Sequence, residues 1–307
     1  MTVEQMTAVD QREVDRRIRR CRLRQWLGWT AYALVVIHLL YMIFGVFPMQ
    51  AWMRPYGRGM TQLCVIVLHF VVLFVLAVVA KTGSTWVYGA LQKECDPFLF
   101  EACVYHMGFM GNENLKRLNL AIAQYYQGNF QQAMDTIMHT DPSSFKKTNR
   151  LNYYVLKSGL CFRFGMGDKV RELENEFQRR ISGKQDTKNM QLLCVMNNLK
   201  RARANKDYES AWRFYHEWFH LSGAESQQLW SKVGRAWQQA VLERDCGNEA
   251  GARAAFAYVE KYGNRLMFVE DAARFLHPER AEEHAKQTEE TAKTEGEGER
   301  DNGGAEA

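Results

Sequence analysis

The 307-residue sequence predicts an all-α protein: an N-terminal two-helix transmembrane hairpin, then an α-solenoid of stacked helix pairs, then a disordered acidic tail. Three observations carry this. Two stretches near the N-terminus contain no Asp, Glu, Lys or Arg: Trp26 to Phe47, over 22 residues, and Thr61 to Ala80, over 20. No proline stands between Pro142 and Pro278, as uninterrupted helices require, because proline removes a backbone donor and clashes with the preceding turn. No apolar–polar alternation bounded by turn pairs suggests a sheet.

Residues 1–25 form a basic segment with seven Arg against four acids. About 20 apolar residues at a rise of about 1.5 Å cross a hydrocarbon layer of about 30 Å, so the stretches 26–47 and 61–80 are each long enough to span it. The connecting "PMQAWMRPYGRGM" bears Trp52 and Tyr56, ring types suited to an interface. A secretory signal has a shorter apolar core and a small-residue cleavage site, so the first stretch is expected to remain uncleaved. Six arginines between Arg16 and Arg24 precede the first stretch, whereas only Arg54 and Arg58 lie in the loop. The positive-inside bias then predicts a multi-pass protein of the cell membrane, with the lipid bilayer as one partner and both termini cytoplasmic. His38 and His69 lie at nearly equal depth in two antiparallel helices and form a candidate intramembrane polar pair. The expectation is a neutral hydrogen-bonded pair rather than a haem ligand set, and no cofactor is predicted.

Seven cysteines are scattered without a C-x-x-C pair, which argues against a disulfide framework or a cysteine-based zinc site. After the second stretch, "LQKECDPFLFEACVYHM" predicts a helix with Asp96 as N-cap and Pro97 as its first residue, a connecting and capping element within 81–114.

Residues 115–277 are read as the repeat array. "LNLAIAQYYQGNFQQAMDTIMHTDP" offers Ala121, a turn glycine Gly128, an aromatic Phe130, a small residue Ala133 and an apolar Ile137. Equivalent copies place Ala211 and Ala252 where Ala133 stands, and a weaker one places Val170 there, so that the four anchors are separated by 37, 41 and 41 residues. This pattern resembles the tetratricopeptide repeat, in divergent form, because the usual period is about 34 residues and Arg117 occupies the usual tryptophan position. Together with E-C-D-P-x-x-F at Glu94 to Phe100, it resembles a group of bacterial membrane proteins of uncharacterised function with tetratricopeptide-like cytoplasmic parts. The resemblance implies a groove lined by the first helix of each pair: Tyr125, Tyr126, Arg163, Lys200, Arg203, Trp237 and Arg244. Aromatic anchors beside cations suit a protein or peptide partner that is acidic or ends in a carboxylate. Residues 278–307 hold four bases against ten acids with almost no large apolar side chain, the composition of a disordered tail.

One motif points elsewhere. His216, Glu217 and His220 have the spacing H-E-x-x-H, which on a helix places two imidazoles one turn apart beside a general base. A metzincin-like third histidine would fall on Ser226, and Glu243 or Glu249 would have to substitute. The leading expectation is therefore a membrane-anchored, non-catalytic interaction scaffold, with a membrane zinc metallopeptidase as the alternative. No phosphate-binding, dinucleotide-binding or nucleophile-elbow motif is present. Lys and Arg are interspersed with acids rather than gathered in a stripe, so nucleic acid is not an expected partner. Oligomeric state cannot be read from the chain.

Overall fold

The computed structural model describes residues 9–43, 58–81, 85–107, 112–181, 183–223 and 228–279. Within them lie thirteen α-helices and no strand. The acidic tail from residue 280 and the loop that joins the two apolar stretches lie outside the described residues.

The chain divides into two compact units, residues 1–90 with 102–108, and residues 91–101 with 109–307. The first is built on a helical pair, α1 (Gln11–Ile43) and α2 (Arg58–Lys81), followed by the short α3 (Thr85–Gln92). Here the membrane expectation requires correction. Among the described residues no helix is long and apolar enough to cross a membrane. The predicted boundary between a basic segment and a span does not exist, because α1 runs unbroken through both and carries all the arginines of positions 12–24 in the same rod. Nor do those arginines serve only as a charge signal. Arg17 pairs with Glu13 at 2.8 Å and donates to the Trp86 carbonyl at 3.3 Å, Arg20 lies over the Trp86 ring, and Arg22 donates to the His106 carbonyl. The transmembrane hairpin, the multi-pass cell-membrane location and the bilayer as partner are set aside on this finding. Large apolar side chains such as Trp26, Leu34, Ile37, Phe70 and Phe74 do stand exposed on the pair.

The second unit begins with the N-terminal half of α4 (Pro97–His106), whose Asp96 accepts from the Leu99 amide at 2.9 Å, the N-cap that the Asp-Pro dipeptide predicts. Four helical hairpins follow: α5 (Glu113–Tyr126) with α6 (Phe130–Met138), α7 (Lys147–Arg163) with α8 (Gly167–Arg179), α9 (Lys184–Ala204) with α10 (Tyr208–Ser222), and α11 (Leu229–Asp245) with α12 (Glu249–Tyr262). A final helix, α13 (Phe268–Leu276), packs on α12.

The hairpins share one turn. Gly128, Gly165, Lys206 and Gly247 all have positive φ, between 59° and 85°, and recur at the separations of the small-residue anchors. Behind each, the next amide bonds back to the carbonyl five residues earlier: Asn129 to Gln124, Met166 to Cys161, Asp207 to Ala202 and Asn248 to Glu243, at 2.8–2.9 Å. This is a Schellman ending, which satisfies helix-end carbonyls and reverses the chain at a fixed angle. Four residues C-terminal to the turn amide, Ala133, Val170, Ala211 and Ala252 are each 0% exposed, so the second helix of every pair is seated through a small or short side chain. Larger groups fill the space between the two helices of a pair. Tyr154, fully buried, stacks on Phe177 at 4.8 Å and donates from its hydroxyl to Glu176 at 2.8 Å.

The array does not end open. The Met267 amide, just before α13, donates to the Tyr126 carbonyl of α5 at 2.8 Å, and the Tyr126 ring meets Trp230 of α11 at 5.2 Å and Phe268 of α13 at 5.9 Å. Arg265 reaches Asp96 at 3.5 Å and Asn264 donates to the Glu94 carbonyl at 2.7 Å. The last helices thus close against the first hairpin and its cap. Buried Glu101 completes the cap by accepting from Gln124 and Gln127, while Thr136 donates to the side-chain oxygen of Gln124.

Lys206 is the one L-residue at the four turns, and the left-handed region costs such a residue roughly 1–2 kcal/mol. Replacing it by glycine should raise stability by up to about 1 kcal/mol, read as a higher urea midpoint at unchanged slope. Gly165→Ala, where the added methyl meets nothing within 4 Å, should lower stability by about the same amount through backbone strain alone.

Candidate functional site

The turn register decides which face of each first helix looks inward. Six residues before the turn stand Ile122, Gly159 and Lys200; ten before it stand Val155, Met196 and Trp237; fourteen before it stand Leu151 and Leu192. Positions four apart share a helix face, and the closed array turns that face of each first helix toward one central space. Apart from Gly159, these residues wall a cavity of about 220 Å³ in the second unit, together with Tyr125, Tyr126, Trp218, Trp230 and Phe268. Most of the wall is apolar or aromatic, as ligand cavities are, with a few polar groups among them: Lys200, Gln238, Asn152, Ser222 and Ser231.

Lys200 is the only Lys or Arg on the wall, and it forms no ion pair among the described residues. Its ammonium lies over the Phe162 ring at 5.5 Å and beside Gly159, where a β-carbon would come within 3.2 Å of Nζ and 3.6 Å of the Tyr125 hydroxyl. Glycine at 159 therefore opens the notch in which the charge sits. Burial, chiefly, and the Arg203 guanidinium push the Lys200 amine down to about 8, against a small opposing pull from Cys161. Burial also raises the hydroxyls of Tyr125 and Tyr126, which stay neutral across the physiological range. The side-chain oxygen of Gln238 is buried and has no hydrogen-bond donor among the described residues. Trp237 is held by stacking on Phe268 at 4.7 Å and by its indole N–H, which donates to Asp271 at 3.2 Å.

Of the residues expected to line a groove, Tyr125, Tyr126, Lys200 and Trp237 stand on this wall. The three arginines do not. Arg163 lies over the Phe130 ring at 4.4 Å, and Arg203 and Arg244 both reach Asp245, at 3.1 and 3.4 Å. Sequence reasoning missed Trp218, Trp230, Gln238 and Phe268, because it looked only along the inner edge of an open array and had no signal for closure.

The remaining candidates lie elsewhere. His38 and His69 meet across the α1–α2 pair, Nδ1 to Nε2 at 2.8 Å with rings stacked at 5.1 Å. His216, Glu217 and His220 all stand exposed on α10, and His216 stacks on Trp212. Among the described residues no group of three or more His, Cys, Asp or Glu is placed to hold a metal ion. The two glutamates considered as a third ligand are otherwise engaged, Glu243 by Asn248 and Glu249 by Arg253. The zinc metallopeptidase alternative is corrected accordingly: a hydrolytic zinc needs three protein ligands, and this helix offers two imidazoles facing solvent.

Compared with known proteins, the chain matches no family model, no curated protein and no solved structure. The expected tetratricopeptide membership and the likeness to a bacterial membrane group are corrected by that result. The geometry agrees, since turns spaced 37, 41 and 41 residues apart build a closed unit rather than a regular 34-residue superhelix.

Because the folded value of Lys200, about 8, lies below its ordinary 10.5, the unfolded chain holds more protons between those values and stability there rises with pH. Below about pH 8 the fold bears the whole penalty of the buried charge. Lys200→Met should therefore stabilise the protein at pH 7 by about 1–2 kcal/mol, allowing for water at the cavity mouth, and the gain should shrink as pH rises from 8 toward 10.5. Urea titrations of both proteins at pH 7 and pH 9.5 measure it.

Proposed function

We propose that the closed helical unit is a binding module that acts without catalysis of its own, and that its central cavity receives an apolar or aromatic anchor from an acidic protein or peptide partner. The observation that carries this reading is the Lys200 ammonium, set in an aromatic wall with no carboxylate among the described residues that line it. Four features support it. The cavity's volume suits one large side chain and little more. Its aromatic rings are fixed by stacking and by the Trp237–Asp271 bond, so little side-chain entropy remains to be lost on binding. Tryptophan and tyrosine at the centre of a concave site are the residues on which binding energy concentrates. Among the described residues the wall also holds no grouping of nucleophile, base and orienting acid, the minimum for acyl-transfer chemistry.

The test is selection of short random peptides on the full chain, followed by titration against the fluorescence of Trp218, Trp230 and Trp237. Selected peptides should share one bulky apolar residue next to negative charge. Trp237→Ala should weaken them at least about tenfold, in line with loss of a central aromatic anchor. Gly234→Val, which crowds Phe268 from the cavity side, should do the same. Peptides without a shared anchor, or peptides indifferent to both substitutions, would remove the cavity from consideration.

A further inference from the structure

We propose that the negative charge of the cavity's occupant is a carboxylate at the end of a molecule, seated on Lys200 in the notch at Gly159, and that its arrival fixes a proton on the Lys200 amine. This rests on the binding reading above and names the chemical class that the cavity accepts.

Among the groups around Lys200, Tyr125 from α5 is a neutral hydroxyl, Cys161 from α7 is a neutral thiol raised by burial, and Arg203 from α9 is a second cation already paired with Asp245. Arg163 on α7 is turned onto Phe130, and Asp271 on α13 accepts from Trp237. Glu174 on α8 is held by Asn197 and Arg201 at 2.8 and 2.9 Å. Nothing in the described protein therefore supplies the counter-charge that a half-buried ammonium in an apolar wall lacks, and a ligand can.

One cation calls for one negative charge. A phosphate carries more charge and more acceptor oxygens than a single ammonium can satisfy, and it is recognised by clusters of donors that this wall does not have. A carboxylate with an apolar body matches both the single charge and the surrounding rings. The last residue of a polypeptide offers this pair: a free carboxylate and a side chain of the cavity's size. An N-acylated apolar amino acid offers the same pair as a free small molecule.

Binding is then linked to protonation. The unliganded amine, near 8, is largely charged at pH 7 and largely neutral at pH 9, whereas a carboxylate beside it favours the charged form at both. Affinity for the carboxylate should fall about tenfold between pH 7 and pH 9, with no such fall for an uncharged analogue.

The experiment is calorimetric or fluorescence titration of the full chain with N-acetyl-phenylalanine and N-acetyl-tryptophan, with their carboxamides, and with hexapeptides ending in the same residues as free acid or amide. The acids should bind at least tenfold more tightly than the amides at pH 7, lose that margin by pH 9, and lose it at pH 7 in Lys200→Met and Gly159→Ala. Amide binding should survive in both variants, which also shows that the cavity is intact. Tighter binding of the hexapeptides than of the acetylated amino acids identifies a chain terminus as the source, and equal binding identifies a small carboxylic acid. Acids and amides that bind alike, or a preference unaffected by pH in the wild-type protein, would overturn the carboxylate assignment and leave the cavity as a plain apolar site. If none of the probes binds, the cavity reading falls with it.

Discussion

The left-handed residue that ends each first helix is the constraint from which the second unit follows. A helix reversed by a Schellman turn has no freedom in where its partner begins, and a small or short residue five positions after the left-handed one lets the partner lie close. With four such turns in register, the inward face of each first helix is determined to the residue. That register, and not any single contact, places Ile122, Lys200, Met196 and Trp237 around one space. Hydrophobic burial drives the packing, but it has no direction, and the turns supply the direction.

Much of this could be read from the chain. The helices, the turns at Gly128, Gly165 and Gly247, the anchors Ala133, Ala211 and Ala252, and the Asp96–Pro97 start are all written in local residue chemistry, which acts over a few positions. The fourth turn was harder to see, because Lys206 adopts a conformation that its side chain disfavours and only tertiary packing reveals. Closure could not be seen at all. It depends on Tyr126, Trp230, Met267 and Phe268 meeting across more than 100 residues, and aromatic residues carry no mark of which distant partner they will face. The arginines follow a different register from Lys200: Arg203 and Arg244 lie three residues before their turns, beside Asp245 and not at the cavity's centre. In the first unit, reading the apolar stretches apart from the arginines before them missed the single helix that joins them.

The cavity sets two demands against each other. Its rings favour an apolar occupant and penalise charge, yet Lys200 keeps a proton-binding amine among them. A cation held in that way contributes nothing to the fold and lowers its stability, so the substitution that best stabilises the protein is also the one that strips the site of its polarity. Gly159 shows the same compromise in backbone form, since a glycine within a helix gives up about 1 kcal/mol relative to alanine to leave room for Nζ.

The hydrogen bond from the Met267 amide to Tyr126 has a consequence for how such a chain can change over generations. Open arrays lengthen or shorten by gaining or losing whole modules, because each module touches only its neighbours. Here the tally of modules is locked: a duplicated pair would drive the two ends apart, and a deleted one would bring them into collision. Variation is channelled instead into the side chains that face the hole, which leaves a container of constant bore whose contents can be respecified one residue at a time.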